Sequence, residues 1–553
     1  MDKFQTLTLL LCSIESILAV DLFVDLPYGR VMGRESFTFN QVRFRAFQGI
    51  PYAASPIGPL RFQAPQPPLP WTGVRNATKD GNICFSIKND SDDENEDCLF
   101  INVFTPVSDN NDTTKYPVML WIYGGAFRTG SSKYSNFGPE FLLDKGVVVV
   151  TFNYRLGPFG FLATEDGLIP GNAGLKDQTA AIRWVYNHIS LFGGNPEEVT
   201  IFGQSAGGAS VGYQLLYKPN TGYFRGAILQ SGSPLSSFSF MGDISARAYA
   251  FNLASCINGN VDLQNNTSSL VEFLLNSTGR EIDKASTLTT VTSRPLPVIE
   301  LDTEDAFFTK QSYESLMTGD FIKIPILIGT TSEEDIYSTS DLQSYEEKFE
   351  QYKKKHLKFI PEGFHVKNGS DSNIVGEEIY QLYFENVSSN NSLGYFVRYN
   401  SDNKYSKPII KHADLASNYT DVYFYIFSYD GLMGNWNITV PGADLVGHGE
   451  DDRYLWAVLS STYTNYDLSK FPESDITTHE RMLTIWTNFA KYLNPTPDGD
   501  LFANVTWPKV KPNDFSYVDI GTNLEVKRNP KSPYYAEWTK IYDQYNQRPF
   551  TIF

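Results

Sequence analysis

Basic residues, long apolar stretches and histidine are all scarce in this chain. Each shortage excludes some of the functions that the protein could have. The 553 residues include 45 Lys and Arg against 63 Asp and Glu. An acidic surface repels nucleic acid and no basic cluster offsets it, so we expect no nucleic-acid partner. Beyond residue 20 no stretch is long and apolar enough to span a bilayer, so we expect no membrane anchor. Only six histidines are available as a catalytic base.

The first twenty residues carry the one apolar stretch of note. Lys3 precedes a run of leucines, and the stretch ends at Ala19 and Val20. This pattern predicts a secretory signal peptide over 1–20, so the mature chain should be secreted. Glycosylation sequons, mostly in polar stretches, are typical of a glycoprotein. They begin at Asn76, Asn89, Asn111, Asn265, Asn266, Asn276, Asn368, Asn386, Asn390, Asn418, Asn437 and Asn504.

Cysteine is also rare, with four in the chain. Removing the signal peptide removes Cys12. Cys84 and Cys98 bracket a polar, acidic loop and can pair in an oxidising compartment, which would contribute about 3 kcal/mol to stability. Cys256 has no partner nearby in sequence. A buried thiol is favoured there over an intermolecular disulfide.

The most informative stretch is Gly-Gln-Ser-Ala-Gly at 203–207. The β-branched and aromatic run 199–202 precedes it and predicts a buried strand, while 206–216 can form a helix. A strand, a G-x-S-x-G turn and a helix form the context of a nucleophile elbow, in which a tight turn holds the serine in a strained conformation. Ser205 is therefore the predicted nucleophile.

Residues 192–208 as a whole resemble the active-serine signature of the type-B carboxylesterase and cholinesterase family. Residues 96–103 resemble its second signature, and 47–53 with 59–62 resemble its entry segment. The resemblance covers nearly the whole mature chain. It implies one α/β-hydrolase domain over 21–553, with a central, mostly parallel twisted sheet and helices on both faces. It also implies two structural ion pairs, Arg61 with Glu96 and Arg155 with Asp177.

The hydrophobic pattern independently predicts an α/β fold, because strands and helices alternate. Continuous apolar runs, which suit parallel strands covered on both faces, lie at 118–123, 147–152, 227–230 and 324–329. Amphipathic helices are predicted at 176–192 and 481–493. The polar segments 258–293 and 340–403 are predicted to be less regular insertions.

His448 is the predicted general base. It stands in a glycine-flanked loop late in the chain, and the order Ser, acid, His is that of α/β-hydrolases. The acid should follow an earlier strand, where Glu333, Glu334 and Asp335 come after Gly329. The family places its acid five residues after this glycine, which selects Glu334 with Glu333 as the alternative. The two carboxylates not used are expected to face solvent.

Residues 121–127 resemble the family's H-G-G-G-type loop, with Tyr123 in place of His and Ala126 in place of the third glycine. The resemblance implies an oxyanion hole. Its expected backbone donors are the N–H groups of Gly125, Ala126 and Ala206. Ser231 matches a family serine that supports the acid from behind, although an ordinary hydroxyl is equally consistent. No metal and no cofactor are expected.

Three functions remain open within the family. Cholinesterases bind a quaternary ammonium on an aromatic face and have a tryptophan in the first disulfide loop. Here the loop 85–97 is shorter and lacks tryptophan, and Gln204 replaces the usual acidic residue. Adhesion members have lost the serine or the histidine, and this chain keeps both. A secreted serine carboxylesterase for uncharged small-molecule esters is therefore favoured, acting through a Ser-Glu-His triad and an acyl-enzyme.

Juvenile hormone esterase is the more specific alternative. The pentapeptide around Ser205, together with Arg61-Phe62 and Asp177-Gln178, resembles the insect juvenile hormone esterases. Leu445 departs from their pattern, because it replaces a glycine of their histidine motif. A general carboxylesterase is at least as consistent with the sequence, which sets no expectation for the oligomeric state.

Overall fold

The computed structural model describes residues 22–86, 91–107, 115–242, 245–259, 265–289, 294–434, 438–459, 464–498 and 505–553. The predicted signal peptide and the sequons at Asn89, Asn111, Asn437 and Asn504 lie outside the described residues. The description below concerns the remaining chain.

A single sheet of thirteen strands runs through the described chain. Its strands are β1 (Leu22–Leu26), β2 (Gly29–Phe37), β3 (Arg43–Pro51), β4 (Val74–Asn76), β5 (Phe100–Pro106), β6 (Tyr116–Ile122), β7 (Val148–Phe152), β8 (Gly194–Gln204), β9 (Gly226–Gln230), β10 (Ile326–Thr331), β11 (Val422–Phe427), β12 (Ser516–Ile520) and β13 (Leu524–Arg528). The spatial order is β1-β2-β3-β5-β7-β6-β8-β9-β10-β11-β12-β13, and β4 pairs with β2.

In this spatial order, the strands from β7 through β6 and β8 to β12 are parallel to one another. Antiparallel pairs flank them on both sides. Every residue of β7, β9, β10 and β11 is buried. This burial agrees with the continuous apolar runs of the sequence, because a parallel strand is covered on both faces. The predicted α/β sheet is confirmed, and the carboxyl ends of its central strands meet at one edge.

Helices occupy most connections between the strands. They are α1 (Glu140–Leu143), α2 (Gly157–Phe161), α3 (Ala173–His188), α4 (Ala206–Leu216), α5 (Ala246–Ile257), α6 (Thr267–Asn276), α7 (Gly279–Leu288), α8 (Ser312–Thr318), α9 (Leu342–Lys354), α10 (Ser372–Phe384), α11 (Ser392–Ser401), α12 (Lys407–Ala416), α13 (Glu473–Tyr492) and α14 (Tyr534–Tyr545). A π-helix over Asp402–Ser406 joins α11 to α12.

The two polar segments predicted to be less regular are in fact largely helical. The first contains α6 and α7, and the second contains α9, α10 and α11. The buried face of α9 is narrow and contains only Tyr345 and Phe349. A helix whose buried face is that small leaves little periodicity in a polar sequence.

Two buried or nearly buried ion pairs hold the amino-terminal half together. Arg61 Nη2 lies 2.6 Å from Glu96 Oε1, and Arg155 Nη2 lies 2.7 Å from Asp177 Oδ1. Arg61 also donates to the backbone carbonyls of Leu274 and Ser277 at 2.7 Å. Its guanidinium therefore ties the entry segment to the carboxyl-terminal end of α6, where helical carbonyls lack partners of their own.

Cys84 and Cys98 form a disulfide. Cys256, on α5, is free and partly exposed, whereas the sequence favours a buried thiol. The reason is its position, since α5 directs a different set of residues toward the core, including Tyr249, Ala250, Leu253 and Ala254.

His412, on α12, gives the fold a predictable dependence on pH. The side chain is buried, with Nδ1 3.1 Å from Ser233 Oγ, and burial lowers its pKa to about 3. An unfolded histidine titrates near 6.5, so the unfolded state binds more protons between these two values. The stability due to neutral His412 is complete above about pH 6.5 and is lost as the pH falls below it.

We therefore expect His412→Gln to lose less stability on acidification than the wild type. Between about pH 7 and pH 5 the wild type should lose about 2 kcal/mol more free energy of unfolding than the variant, because pH 5 lies about 1.5 units below the pKa of an unfolded histidine. Urea unfolding of both proteins at the two pH values measures it. Each protein is compared with itself, so any constant cost of the substitution cancels. Equal losses in both proteins would contradict the prediction.

Candidate active site

Ser205 stands at the turn between β8 and α4, in a strained backbone conformation. Its φ is 59° and its ψ is −124°, a region that favours glycine. Its N–H donates to the Gln230 carbonyl at 2.8 Å. A Cβ on Gly207 would lie 1.9 Å from the Ile122 carbonyl oxygen. Glycine there allows helix and strand to approach, and so fixes Ser205 at the carboxyl end of the sheet.

His448 and Glu334 meet at the same edge of the sheet. His448 Nδ1 lies 2.5 Å from Glu334 Oε2, and the His448 backbone N–H donates to the Glu334 carbonyl at 3.1 Å. Glu334 is completely buried, whereas 14% of the His448 side chain is exposed. A second backbone bond joins the loop after β10 to the late loop that carries His448, since the Glu333 N–H donates to the Val446 carbonyl at 2.9 Å.

Further donors orient the Glu334 carboxylate. Oε1 accepts from Thr330 Oγ1 at 2.5 Å and from the Thr331 N–H at 2.8 Å. Burial alone would raise the pKa of Glu334, but the His448 charge and hydrogen bond, with smaller effects of Ser231 and Thr330, lower it below its ordinary value. The buried Ser231 hydroxyl is close enough to Glu334 to help lower this pKa, although it makes no hydrogen bond of ordinary geometry among the described residues.

Glu333 and Asp335 do not face solvent, which corrects the expectation from the sequence. Both are completely buried. Glu333 Oε2 accepts from Arg398 Nη2 at 3.3 Å, and Asp335 Oδ1 accepts from Lys404 Nζ at 2.6 Å. Burial raises the pKa of Glu333 to about 7. The two carboxylates are buried because long basic side chains from α11 and the π-helix reach them.

Gln204 is a site residue whose role the sequence did not reveal. Its Nε2 lies 3.2 Å from His448 Nε2. With Glu334 accepting at Nδ1, the neutral ring carries its proton on that nitrogen, which leaves Nε2 as an acceptor for the Gln204 amide. The amide therefore supports the tautomer that a general base needs. An ionised carboxylate at this position could not donate the same bond.

The loop over 124–130 approaches Ser205 from β6. Gly125 and Ala126 have φ values of 110° and 54°, and the Gly125 carbonyl accepts the N–H groups of Arg128 and Thr129, each at 3.0 Å. Among the described residues, no hydrogen bond engages the N–H groups of Gly125 and Ala126. The N–H of Ala206 opens α4, where an intrahelical partner is lacking. All three donors are thus available for a ligand.

Ser205, His448 and this loop line one cavity of 770 Å³. Tyr405 flanks His448 with the ring centroids 4.6 Å apart, and the Tyr405 hydroxyl lies 3.2 Å from that of Tyr337. The π-helix brings Tyr405 and Lys404 to the cavity, and no pattern in the sequence signals a π-helix. Such helices often occur at functional sites.

Neither a metal site nor a membrane helix is found in the described ranges. No group of three or more His, Cys, Asp or Glu residues converges there in a way that could hold a metal ion. The helices in those ranges include none with the length and apolarity needed to cross a bilayer.

Comparison with known proteins identifies consistent relatives. The model of the carboxylesterase family matches residues 20–538. Juvenile hormone esterase of Tribolium castaneum is 31% identical over 530 residues, which are 89% of this chain and 87% of that protein. Venom carboxylesterase-6 of Apis mellifera is 30% identical over 544 residues, 93% of each chain.

A solved structure shows the same likeness. The crystal structure of juvenile hormone esterase from Manduca sexta, with OTFP covalently attached, matches with a TM-score of 0.80 and 25% identity. The match covers 95% of this chain and 99% of that one. The fold class predicted from the sequence is therefore confirmed.

Proposed function

The chain belongs to the carboxylesterase family and is a carboxylic ester hydrolase, and from this premise we propose that Ser205, His448 and Glu334 are its catalytic triad. The observation that carries the proposal is the 2.5 Å contact between His448 and Glu334. The buried Glu334 carboxylate also accepts two further hydrogen bonds, and His448 lines the same cavity as Ser205. The mature chain, 21–553, acts as one catalytic domain in this proposal.

In the first half of the reaction, Ser205 Oγ attacks the ester carbonyl carbon while His448 Nε2 takes the hydroxyl proton. Glu334 stabilises the imidazolium that forms, without taking its proton. The carbonyl oxygen becomes an oxyanion that the N–H groups of Gly125, Ala126 and Ala206 bind. The tetrahedral species then collapses as His448 returns the proton to the departing alcohol, which leaves an acyl group on Ser205.

In the second half, water attacks the acyl carbon and His448 Nε2 takes a water proton. Collapse of the second tetrahedral species transfers that proton to Ser205 Oγ and releases the carboxylic acid. During the approach of the serine or of water, the Gln204 amide must release Nε2. Its bond therefore keeps the acceptor nitrogen oriented while the site is empty.

The remaining sequence candidates have structural roles in this proposal. Arg61 with Glu96, Arg155 with Asp177, and the Cys84–Cys98 disulfide stabilise the segments around the site. Ser231 lies behind Glu334 and helps to keep it ionised. The disulfide and the apolar sequence over 1–20 support secretion, as does the name of the venom carboxylesterase relative. Glycosylation at the sequons follows from secretion.

Uncharged carboxylic esters are the first substrates to test. The loop without tryptophan and the neutral Gln204 argue against a cationic alcohol. The names of the relatives include both juvenile hormone esterase and carboxylesterase, so juvenile hormone hydrolysis stays an alternative.

The test is hydrolysis of 4-nitrophenyl esters of increasing acyl length, juvenile hormone and butyrylcholine by the purified secreted protein. We expect kcat/KM for the best neutral ester to exceed that for butyrylcholine by about 100-fold. The reason is that the choline group would find neither a desolvated cation–π contact, worth about 2 kcal/mol, nor an acidic partner. A preference for butyrylcholine would contradict the proposed substrate class. Selective hydrolysis of juvenile hormone would support the alternative.

A further inference from the structure

The cavity beside Ser205 carries an excess of basic side chains in a chain whose net charge is −18. Arg128, Arg294 and Lys404 line it. Glu362, exposed at the same cavity, is the acidic side chain among its described lining residues. A basic cavity in an acidic protein focuses a field that attracts anions.

The three basic side chains differ in how their charge is compensated. Lys404 is held by the buried Asp335 at 2.6 Å, so its charge is largely balanced. Arg128 lies in the loop over 124–130 and is half-buried, and in the described part of the chain no carboxylate forms an ion pair with it. Arg294 is exposed and close enough to Arg128 to repel it.

Arg128 also has an unused donor. Its Nε is buried and has no hydrogen-bond partner within the described residues. Burial, and then the charge of Arg294, lowers the pKa of Arg128. Because Nε is itself closed to solvent, an anion in the cavity would pair with the rest of the guanidinium and offset the cost of burying its charge. A planar anion such as a carboxylate matches the fork of guanidinium donors.

Part of the cavity wall is apolar. Phe238, Phe240, Met241 and Leu296 line it beside the two arginines. A ligand that satisfied both parts would have an apolar chain with a negative charge at its far end. The scissile ester would lie at Ser205 and the charge near the arginines.

We infer that the cavity selects esters whose apolar acyl or alcohol chain ends in a carboxylate, in preference to uncharged esters of the same length. The inference rests on the proposed ester hydrolysis and replaces the uncharged esters considered above with esters that carry a carboxylate away from the scissile bond. The reaction is unchanged, since water cleaves the ester into an acid and an alcohol while the distant carboxylate only binds.

The experiment compares two 4-nitrophenyl esters of suberic acid, one with a free ω-carboxylate and one with an ω-carboxamide of the same shape. The wild type should have a kcat/KM at least about ten-fold higher for the carboxylate, since a charge-assisted hydrogen bond is worth this much. The preference should shrink at about 0.5 M salt, where exposed charges are screened.

Variants test which side chains cause the preference for the carboxylate ester. Arg128→Gln should lower the carboxylate-to-carboxamide ratio about ten-fold, and Glu362→Gln should raise it, because it removes the opposing charge. Arg528→Gln is the matched control, since that exposed side chain lies on β13 beside Asp514. It should leave both rates unchanged. The ratio is taken within each protein, so a general loss of active enzyme does not affect it.

The outcomes separate this inference from the proposed function. A wild-type ratio of one or less, or a ratio that Arg128→Gln leaves unchanged, would overturn the inference while carboxamide turnover still supported ester hydrolysis. Release of nitrophenol from neither ester would refute the proposed function itself.

Discussion

Ser205→Ala should lower kcat toward neutral esters by about 10⁶-fold and leave the protein folded, as loss of the nucleophile does in a serine protease. Alanine keeps the Cβ and removes only Oγ, so the β8–α4 turn and the Ser205 N–H bond to Gln230 should persist. The measurement is kcat for one neutral ester, together with the circular dichroism spectrum of the variant.

Labelling identifies the residue directly. An organophosphate traps an activated serine as a stable ester, so peptide mapping should find the adduct on Ser205 in the wild type and none in the variant. Ser210→Ala is the matched control, because Ser210 lies on α4 and its hydroxyl accepts the Gln178 amide at 3.0 Å. It should keep both labelling and turnover. An adduct on another residue would refute the elbow assignment.

The elbow was predictable because all of its determinants are local. The strand residues, Gly203, Ser205, Gly207 and the helix follow one another, and the close approaches need glycine at fixed offsets from the serine. The same holds for the sheet, where each buried parallel strand is recorded as a continuous apolar run. Membership of the family and ester hydrolysis were also predicted correctly on this basis.

The surroundings of Glu334, the proposed acid, were not predictable, because they depend on distant partners. Glu333 and Asp335 are charged residues in a loop, and from the sequence a solvent-facing position is the natural expectation. Their burial depends on Arg398 and Lys404, which lie 65 and 69 residues further along the chain. No local pattern indicates that these side chains return to the loop after β10.

The pairing of Gln204 with His448 and the position of Tyr405 could not be predicted either, because both depend on tertiary packing. The sequence shows only that Gln204 lacks a charge, because the orientation of its amide depends on the ring of a residue 244 positions away. Tyr405 reaches the cavity through a π-helix inside a polar segment. Such features depend on tertiary packing rather than on sequence periodicity.

Glu334→Gln should lower kcat by about 10⁴-fold, which is the effect of the corresponding change in the serine-protease triad. The Thr331 N–H and the Thr330 hydroxyl donate to Oε1, so the new amide should turn its carbonyl oxygen toward them. Its NH₂ group then faces His448 Nδ1 and forces the ring proton onto Nε2. In that tautomer Nε2 cannot accept the Ser205 proton, although packing and folding are unchanged.

The neighbouring carboxylates are the matched controls, and their burial makes the comparison sharper. Glu333→Gln should leave kcat within a few-fold of the wild type and cost little stability. The reason is that Glu333, with a pKa of about 7, is already partly neutral at about pH 7. Asp335→Asn should also keep kcat but destabilise the protein by about 2 kcal/mol, less than for a fully buried pair, since about a third of the Lys404 side chain is exposed.

The measurements are kcat for one neutral ester and the midpoint of urea unfolding, made on all three variants. Loss of activity without loss of stability should occur only in Glu334→Gln, and loss of stability without loss of activity should be greatest in Asp335→Asn. A near-normal Glu334→Gln together with an inactive Glu333→Gln would show that Glu333 is the acid. The 2.5 Å contact between His448 and Glu334 would then be structural, because Glu333 would have to leave Arg398 to reach the histidine.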